Sequence, residues 1–529
     1  MSETLIQTQT QEQAEIQQPY IFEKCTWLLT PEFILLLEKL HQCLTAEHKA
    51  IVQYGNQLAQ ALQKDFEPVL KQIKDDCIIE PFICNPLPQW MQGLKTQIVC
   101  PINQTSQLVK LINNNERYQK PDVILLDFAH TLKPTWSGII EGIKNAVEIA
   151  GGDVKYTQQG FATFHADSIK NDLPLIVYKP RTWHQFESNI GFDENKLPAL
   201  IFDVAALVYH VSIHSKRKSM VLEITLQNAY EAQWINEMLY LLENVMDYEE
   251  NTIKVVANIN SVSGIIHIHA ITEQIQQRLV GFAADFKGKI FDDLKLLRKS
   301  SNNIVTERKN INHTTVGLQA LSAAVCKAAM HYNLIAFAGL SVNAAGKFVD
   351  YKDVDVAHYE NELAQIFSVG FDVVTISHQG YIAFVMQQQK GQALQQNDLL
   401  CTHDNKISEK GLRDNIRMAI TYMQAWNQGL GYAIFDNRWE DLQTFEIVRA
   451  QIYQWVRNSV HLSVSNERIN SRMITTIILE EVEKLKDEIA EEFAGNPISE
   501  IQTISNTYTQ AALEVEQLFL QDELAPFFN

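Results

Sequence analysis

Two short stretches carry side chains with an obvious chemical use. In YKPRTWH (178–184), Arg181 follows a proline at the end of an apolar run. The planar guanidinium there suits a forked grip on a carboxylate or an enolate. In NRWED (437–441), Asp441 opens an amphipathic stretch. An aspartate in that place serves as an N-cap or first-turn residue stabilised by the helix dipole. Other polar groups recur where apolar runs end, at Asp127 to His130, Asn258 to Ser261, Asp285 to Gly288 and His378. His267-Ile268-His269 has the form of a metal-binding pair, with ordinary helix-surface or packing histidines as the alternative.

The elements that must position these groups are legible from hydrophobic pattern. Short apolar, β-rich runs occupy 97–102, 123–129, 175–181, 219–225, 252–260, 279–285, 334–339 and 372–378. Several are apolar on both faces, as parallel strands covered by helices must be. Helical periodicity lies between some of them, most clearly at 318–332 and 356–369. About eight alternations of β and α predict a (β/α)8 TIM barrel of class α/β, spanning 97–385, with catalytic groups at the C-terminal strand ends. Before it, Phe33, Leu36, Leu37, Leu40 and Leu44 share one helical face, predicting an N-terminal helical segment over 23–96. Residues 1–22, rich in Gln, Thr and Glu, are expected to form a flexible tail. After about residue 386 strand signals fade, and helices are expected at 411–428, 441–458, 474–493 and 506–523, making 386–529 a C-terminal helical domain.

Composition narrows the class of function. A 529-residue chain that is 46% hydrophobic can bury a large core. Its net charge of −19 argues against non-specific nucleic-acid binding, which needs Lys and Arg on phosphates. No GxGxxG or GxxxxGK[ST] follows a strand, so neither a dinucleotide nor a P-loop site is expected. The seven cysteines are scattered without CxxC spacing and read as reduced thiols. No apolar run approaches the roughly 18 residues of a membrane span, and no Lys or Arg precedes Lys24, so no secretory signal is expected. The expectation is a soluble cytoplasmic protein, away from membranes, of open oligomeric state, for which a small anionic substrate is not excluded.

Four longer motifs occur in an order that resembles the malate synthase family. LLDFAHTLKPTW (125–136) is similar to that family's Asp-Phe-Glu-Asp strand with its following Pro-Thr-Trp, and KPRTWHQFE (179–187) to its Lys/Arg-Pro-Arg-Gly-Trp-His segment. LRDNIRMAITYMQAW (412–426) and NRWEDLQTFEIVRAQIYQWVRN (437–458) resemble its C-terminal domain. The order holds from about Trp27 to the C-terminus. The resemblance implies condensation of acetyl-CoA with glyoxylate and hydrolysis of the thioester, giving malate and CoA. It implies Asp441 as the base that removes a methyl proton and Arg181 as the stabiliser of the enolate and aldehyde oxygens. It also implies Mg2+ held by one Glu and one Asp.

At those ligand positions the chain departs from the family. Matching TIKVVANIN to the fifth strand puts the metal-binding Glu at Asn260, and matching GFAADFKGKIF to the sixth puts the metal-binding Asp at Gly288. Ala129 and His130 stand where the family has Glu and Asp, and Thr225 and Gln227 where it has Lys and Glu. The nearby Asp285, Asp292 and Asp293 are the candidates for rebuilding a metal site. By the same resemblance, His267 and His269 fall in a helix. Three readings follow: malate synthase with a non-standard metal site; a metal-independent condensing enzyme with another carbonyl acceptor, using Arg181 and His130; or a non-catalytic homologue kept as a binding protein.

Overall fold

The computed structural model describes residues 15–16, 25–76, 82–113, 118–152, 154–158, 162–165, 173–192, 195–211, 220–346, 354–392, 398–401 and 406–528. Each of the eight apolar runs forms a strand: β1 (Thr96–Pro101), β2 (Val123–Asp127), β3 (Leu175–Lys179), β4 (Val221–Thr225), β5 (Lys254–Ile259), β6 (Leu279–Ala284), β7 (Ile335–Ala338) and β8 (Val373–Ile376). They pair in chain order, all parallel, and β8 closes on β1 through Val374–Thr96 and Ile376–Ile98. Strand alternation divides the apolar side chains. Val123, Leu125, Val177, Val221, Val256 and Val280 pack inside the barrel, while Ile124, Leu126, Tyr178, Leu222 and Ile224 face the surrounding helices.

The N-terminal helix α1 (Pro31–Lys64) starts with Pro31 in its first turn and with Thr30 as N-cap, whose hydroxyl accepts from the Phe33 N–H. Its predicted stripe, Phe33 through Leu44, is buried. Trp234, in the barrel's outer layer, donates its indole N–H to the Leu44 carbonyl at 3.1 Å. Within the expected tail, Glu15–Ile16 pair with Gly191 and Ile190 as a two-residue strand; its other residues lie outside the described ones.

Two helices of the outer layer matter below, α2 (Phe286–Leu297) and α3 (Val316–Tyr332). The C-terminal cap consists of α4 (Glu409–Asn427), α5 (Leu442–Arg457), α6 (Ser471–Glu492) and α7 (Ile498–Phe519). These agree with the four expected helices, the last shifted earlier along the chain. A hairpin that the pattern did not predict, β9 (Tyr432–Phe435) and β10 (Arg438–Asp441), joins α4 to α5. Its two-residue turn places Asp436 and Asn437 at φ 49° and 54°, the left-handed backbone such tight hairpins require. The hairpin is stitched to the barrel loops: Gly346 donates to the Asn437 carbonyl at 2.7 Å and Trp439 to that of Ala344 at 3.0 Å.

Helix α5 lies between the two cores. Ile447 and Ala450 join the barrel's outer layer, and Phe445, Val448, Ile452 and Trp455 join the cap. Its QIYQW segment grips the chain that follows α2. Trp455 Nε1 donates to the Val305 carbonyl at 3.0 Å, and Gln454 Nε2 to that of Leu297 at 2.9 Å. The cap is therefore docked by directed bonds as well as by apolar burial.

Candidate functional site

The C-terminal strand ends enclose a cavity of about 40 Å³, walled by Gln97, Asp127, Lys179, Glu223, Asn258 and Asp285 of the barrel and by Asp441 and Gln443 of the cap. Alternation explains the barrel contributions. Val177 and Val221 point inward, so Lys179 and Glu223, two residues further on, do as well. Lys179 Nζ pairs with Glu223 Oε1 at 2.9 Å, and Asn258 Nδ2 donates to the same oxygen at 2.7 Å. Burial alone would lower the Lys179 pKa, but Glu223, Asp285 and Asp127 outweigh it and keep the ammonium charged.

Asp127 ends β2, and its Oδ1 accepts from the backbone N–H groups of Ala129 at 2.8 Å and His130 at 3.2 Å. Burial pushes its carboxyl up to about 6, against the opposing pull of Lys179. Burial, reinforced by Lys179, holds the His130 imidazole well below its ordinary value and therefore neutral. The His130 carbonyl accepts from the Leu442 N–H at 3.1 Å, fixing this loop to the start of α5.

Asp441 stands at the junction of β10 and α5, and its two oxygens have separate duties. Oδ1 accepts from the N–H and hydroxyl of Thr444, both at 3.1 Å, which is the N-cap arrangement. Oδ2 accepts from Lys287 Nζ at 3.0 Å. Lys287 is buried and also donates to the Trp439 carbonyl at 3.3 Å. The neighbouring Glu440 is buried in an ion pair with Arg308.

Arg181 is not among the residues that line the cavity. Pro180 ends the strand, and the Arg181 backbone N–H donates to Asp203 Oδ2 at 2.9 Å. Its guanidinium makes the forked contact expected of it, but to the protein's own carboxylates. Nη2 lies 2.7 Å from Asp203 Oδ1 and 2.8 Å from Glu187 Oε2, with all three side chains buried. The cation that faces the cavity is Lys179, two positions earlier.

Asn260 and Gly288 do lie side by side. A Cβ at position 288 would sit 2.9 Å from the Asn260 Cβ and 2.7 Å from Asp285 Oδ2. Neither position carries a carboxylate, and the carboxylates around them are engaged. Asp285 Oδ1 caps α2 through the Gly288 N–H at 2.9 Å, and its Oδ2 accepts from Gln443 Nε2 at 2.6 Å. Asp293 is paired with Lys289 at 2.5 Å, and Asp292 Oδ2 accepts from the Val262 N–H at 3.3 Å. Among the described residues no three His, Cys, Asp or Glu side chains converge as metal ligands. The donor set therefore does not fit the two-carboxylate Mg2+ site that the resemblance implies.

The remaining candidates serve packing. His267 Nδ1 lies 2.9 Å from the Ser263 carbonyl, and His269 Nδ1 lies 2.8 Å from the Tyr332 hydroxyl. His378 caps a short helical turn through the Gly380 N–H at 3.0 Å. The six cysteines among the described residues are all unbridged, and no helix among those residues is long and apolar enough to cross a membrane. Sequence reasoning missed Glu223, Lys287 and Gln443. Counting inward positions along β4 would have found Glu223. Lys287 and Gln443 gave no such signal, because their partners lie 154 and 158 residues away.

A closed parallel barrel with a polar cavity at its C-terminal mouth, covered by a helical cap, defines an α/β TIM barrel with helical additions. The family follows from direct comparison. Residues 175–416 match the malate synthase TIM barrel domain, and residues 406–528 match the malate synthase C-terminal domain. The chain belongs to the malate synthase family. It is 21% identical to malate synthase A of Escherichia coli over 462 residues, covering 84% of this chain and 83% of that one. It is likewise 21% identical to a malate synthase of Myxococcus xanthus over 511 residues, 90% of this chain and 91% of the other. Among solved structures, the pyruvate/acetyl-CoA ternary complex of Haloferax volcanii malate synthase aligns at 13% identity with a TM-score of 0.46, covering 80% of this chain and 98% of that one.

Proposed function

We propose that this chain is a malate synthase homologue that has lost metal-dependent condensation of acetyl-CoA with glyoxylate and keeps the barrel mouth as a small-molecule binding site. The observation that carries the reading is the Lys287–Asp441 ion pair beside two ligand positions that have no carboxylate. A base must present a free lone pair to the methyl proton. Here one Asp441 oxygen caps α5 with two accepted hydrogen bonds, and the lone pair left on the other shares its oxygen with the Lys287 ammonium. A Lewis acid contributes several kcal/mol of barrier lowering, and each 1.4 kcal/mol or so is tenfold in rate. Asn260 and Gly288 supply nothing to hold one.

Thiol release from acetyl-CoA, followed with glyoxylate, pyruvate and larger 2-oxo acids, tests the reading. It predicts no release above the protein-free rate, with Mg2+ or with chelator. Mg2+-dependent release would overturn it and return the chain to malate synthase proper.

A second reading, metal-independent condensation, is favoured by one observation: Lys179 and Asp441 line the same cavity. Asp441 would leave Lys287 and take the methyl proton. The enolate carbon would attack the acceptor's carbonyl carbon, whose oxygen would take up a proton. Water would then split the thioester, releasing CoA. Lys179, not Arg181, would steady the developing charge. This reading requires chelator-insensitive thiol release that Asp441→Asn abolishes.

A further inference from the structure

We infer that the outer face of the barrel carries a groove for a small arylalkyl ammonium ion, a ligand with a cationic head and an aromatic tail. The groove, about 340 Å³, lies between α1 and the helix Ala229–Val245 and shares no lining residue with the mouth cavity. Each helix turns the same repeat toward it. Glu47, Ala50, Ile51 and Tyr54 of α1 follow i, i+3, i+4, i+7 spacing, as do Tyr230, Gln233, Trp234 and Glu237 of the other helix, so each set shares one face. All but Glu237 line the groove.

The first residue of one set meets the last of the other, so the groove has unlike ends. At one end the Tyr54 and Tyr230 rings pack edge to face, their centroids 5.0 Å apart. At the other the Glu47 and Glu237 carboxyl groups come within hydrogen-bonding reach. Ile51 and Trp234 lie buried beneath. The groups a ligand would meet are accessible: Tyr230 is 58% exposed, and Glu47, Ala50 and Gln233 are exposed too. Two carboxylates in contact need a proton or a cation between them. Burial, and then Glu47, push the Glu237 carboxyl up, the direction expected with no positive charge beside the pair. The helix Ala229–Val245 has no Lys or Arg, and among the described residues no lysine of α1 lines the groove. Arg278, in the adjoining cleft past Gln233, is buried against Glu243 at 3.0 Å and Asn236 at 2.7 Å. An ammonium group supplies the missing charge and donors for both carboxylates. The seven-residue step from Glu47 to Tyr54 covers about 10 Å of helix axis. A linker of about four methylene groups covers most of that distance and sets an aromatic ring beside the tyrosines.

Isothermal titration of the full chain with 4-phenylbutylamine tests this against three controls. 4-Phenylbutan-1-ol keeps the tail without the charge, 4-phenylbutyrate reverses the charge, and butylamine keeps the charge without the ring. Butylamine also reports the background attraction of a chain of net charge −19 for any cation. One 4-phenylbutylamine per chain should bind about fivefold more tightly than each control, the size expected of exposed ion-pair and aromatic contacts. Glu237→Gln and Tyr230→Ala, both at exposed positions, should each weaken it by about three- to fivefold while circular dichroism shows a folded chain. Glu492→Gln, an equal change of charge at an exposed position of α6, should leave it unchanged. Binding no tighter than that of the alcohol or of butylamine overturns the inference, as does an equal loss in Glu492→Gln and Glu237→Gln. Binding untouched in both groove variants overturns it too. A dimer of the parent, seen by sedimentation and dispersed by Tyr230→Ala, would give the groove to a second copy of the chain and likewise overturn it.

Discussion

Lys179 and Arg181 are two residues apart, both buried, and belong to different kinds of site. Around Arg181 the matching is complete: two carboxylates meet one guanidinium, and Asp203 also takes the Arg181 backbone N–H. Around Lys179 it is incomplete: several carboxylates share one ammonium, and the buried side-chain oxygens of Gln97 and Asn258 have no donor among the described residues. A buried polar group without a partner is costly. A cluster whose groups satisfy one another is therefore read as architecture, whereas one left unsatisfied is read as a place for a ligand. The motif rule that an arginine after a strand grips a substrate anion failed here because the anions were already in the protein.

The comparison is broken most forcefully at Arg181. Arg181→Met leaves Asp203 and Glu187 buried without their cation, and the loss in unfolding free energy should be about 3–5 kcal/mol by urea denaturation. Ligand titrations at the cavity should be unaffected in whatever fraction stays folded. A loss within about 0.5 kcal/mol, the range of ordinary surface changes, would mean that the cluster does not anchor the β3 loop.

The Lys287–Asp441 pair should be intermediate, since Thr444 still bonds one Asp441 oxygen when the lysine is gone. Lys287→Met is expected to cost about 2 kcal/mol. Adding Asp441→Asn, which keeps the N-cap, should recover about 1 kcal/mol of that as a coupling term in a double-mutant cycle. Strict additivity would show that the two side chains do not meet in solution.

Restoring both family ligands sharpens the contrast from the other side. Asn260→Glu with Gly288→Asp should bind Mg2+ about tenfold more tightly than either single variant, because one ion draws on both charges. Gly288 lies inside the first turn of α2 without a positive φ, so backbone strain is not the obstacle. Crowding against Asp285 is, at 2.7 Å, and it should lower stability by about 1–3 kcal/mol. If the folded double variant binds Mg2+ no better than the parent, Asp285 has not moved aside or the ligand positions are misplaced.

A pH-dependent effect concerns Asp127. Its folded pKa, about 6, lies above the ordinary 3.8, so the folded state holds the proton more tightly. Its contribution favours folding at the acid end and is lost as pH rises from about 4 through about 6. Asp127→Asn removes that titration, so stability against pH should fall less steeply across this interval than in the parent. Superimposable curves would place the Asp127 carboxyl in a more solvated setting.

The barrel was legible because each strand is a local pattern. Runs such as VILLD and LVGFAA are apolar on both faces, and nothing in a loop or surface helix requires that. The stripe of α1 and the helices of the cap were legible for the same reason. The hairpin before α5 was not, since its strands are four residues each and lie in the short connection between two helical stretches. Asp436-Asn437 was the available turn signal. The candidate site was legible in part. Asn260 and Gly288 lie side by side and Asp441 lines the cavity, whereas Arg181 is turned to Asp203 and Glu187 and Lys179 faces the cavity.

The sequence by itself determined the periodicities, and through them the closed parallel barrel, the capping helices and the strand-end positions of Asp127, Lys179 and Glu223. It also determined that positions 260 and 288 hold no carboxylate. Only the tertiary structure decided which charges meet. Lys287 reaches Asp441 across 154 residues of chain, and Gln443 reaches Asp285 across 158. The physical reason is the difference in range. Secondary structure follows from side-chain alternation and helical repeat over a few residues. A buried ion pair, by contrast, depends on where two separately folded elements come to rest, and a short-range pattern carries no record of that.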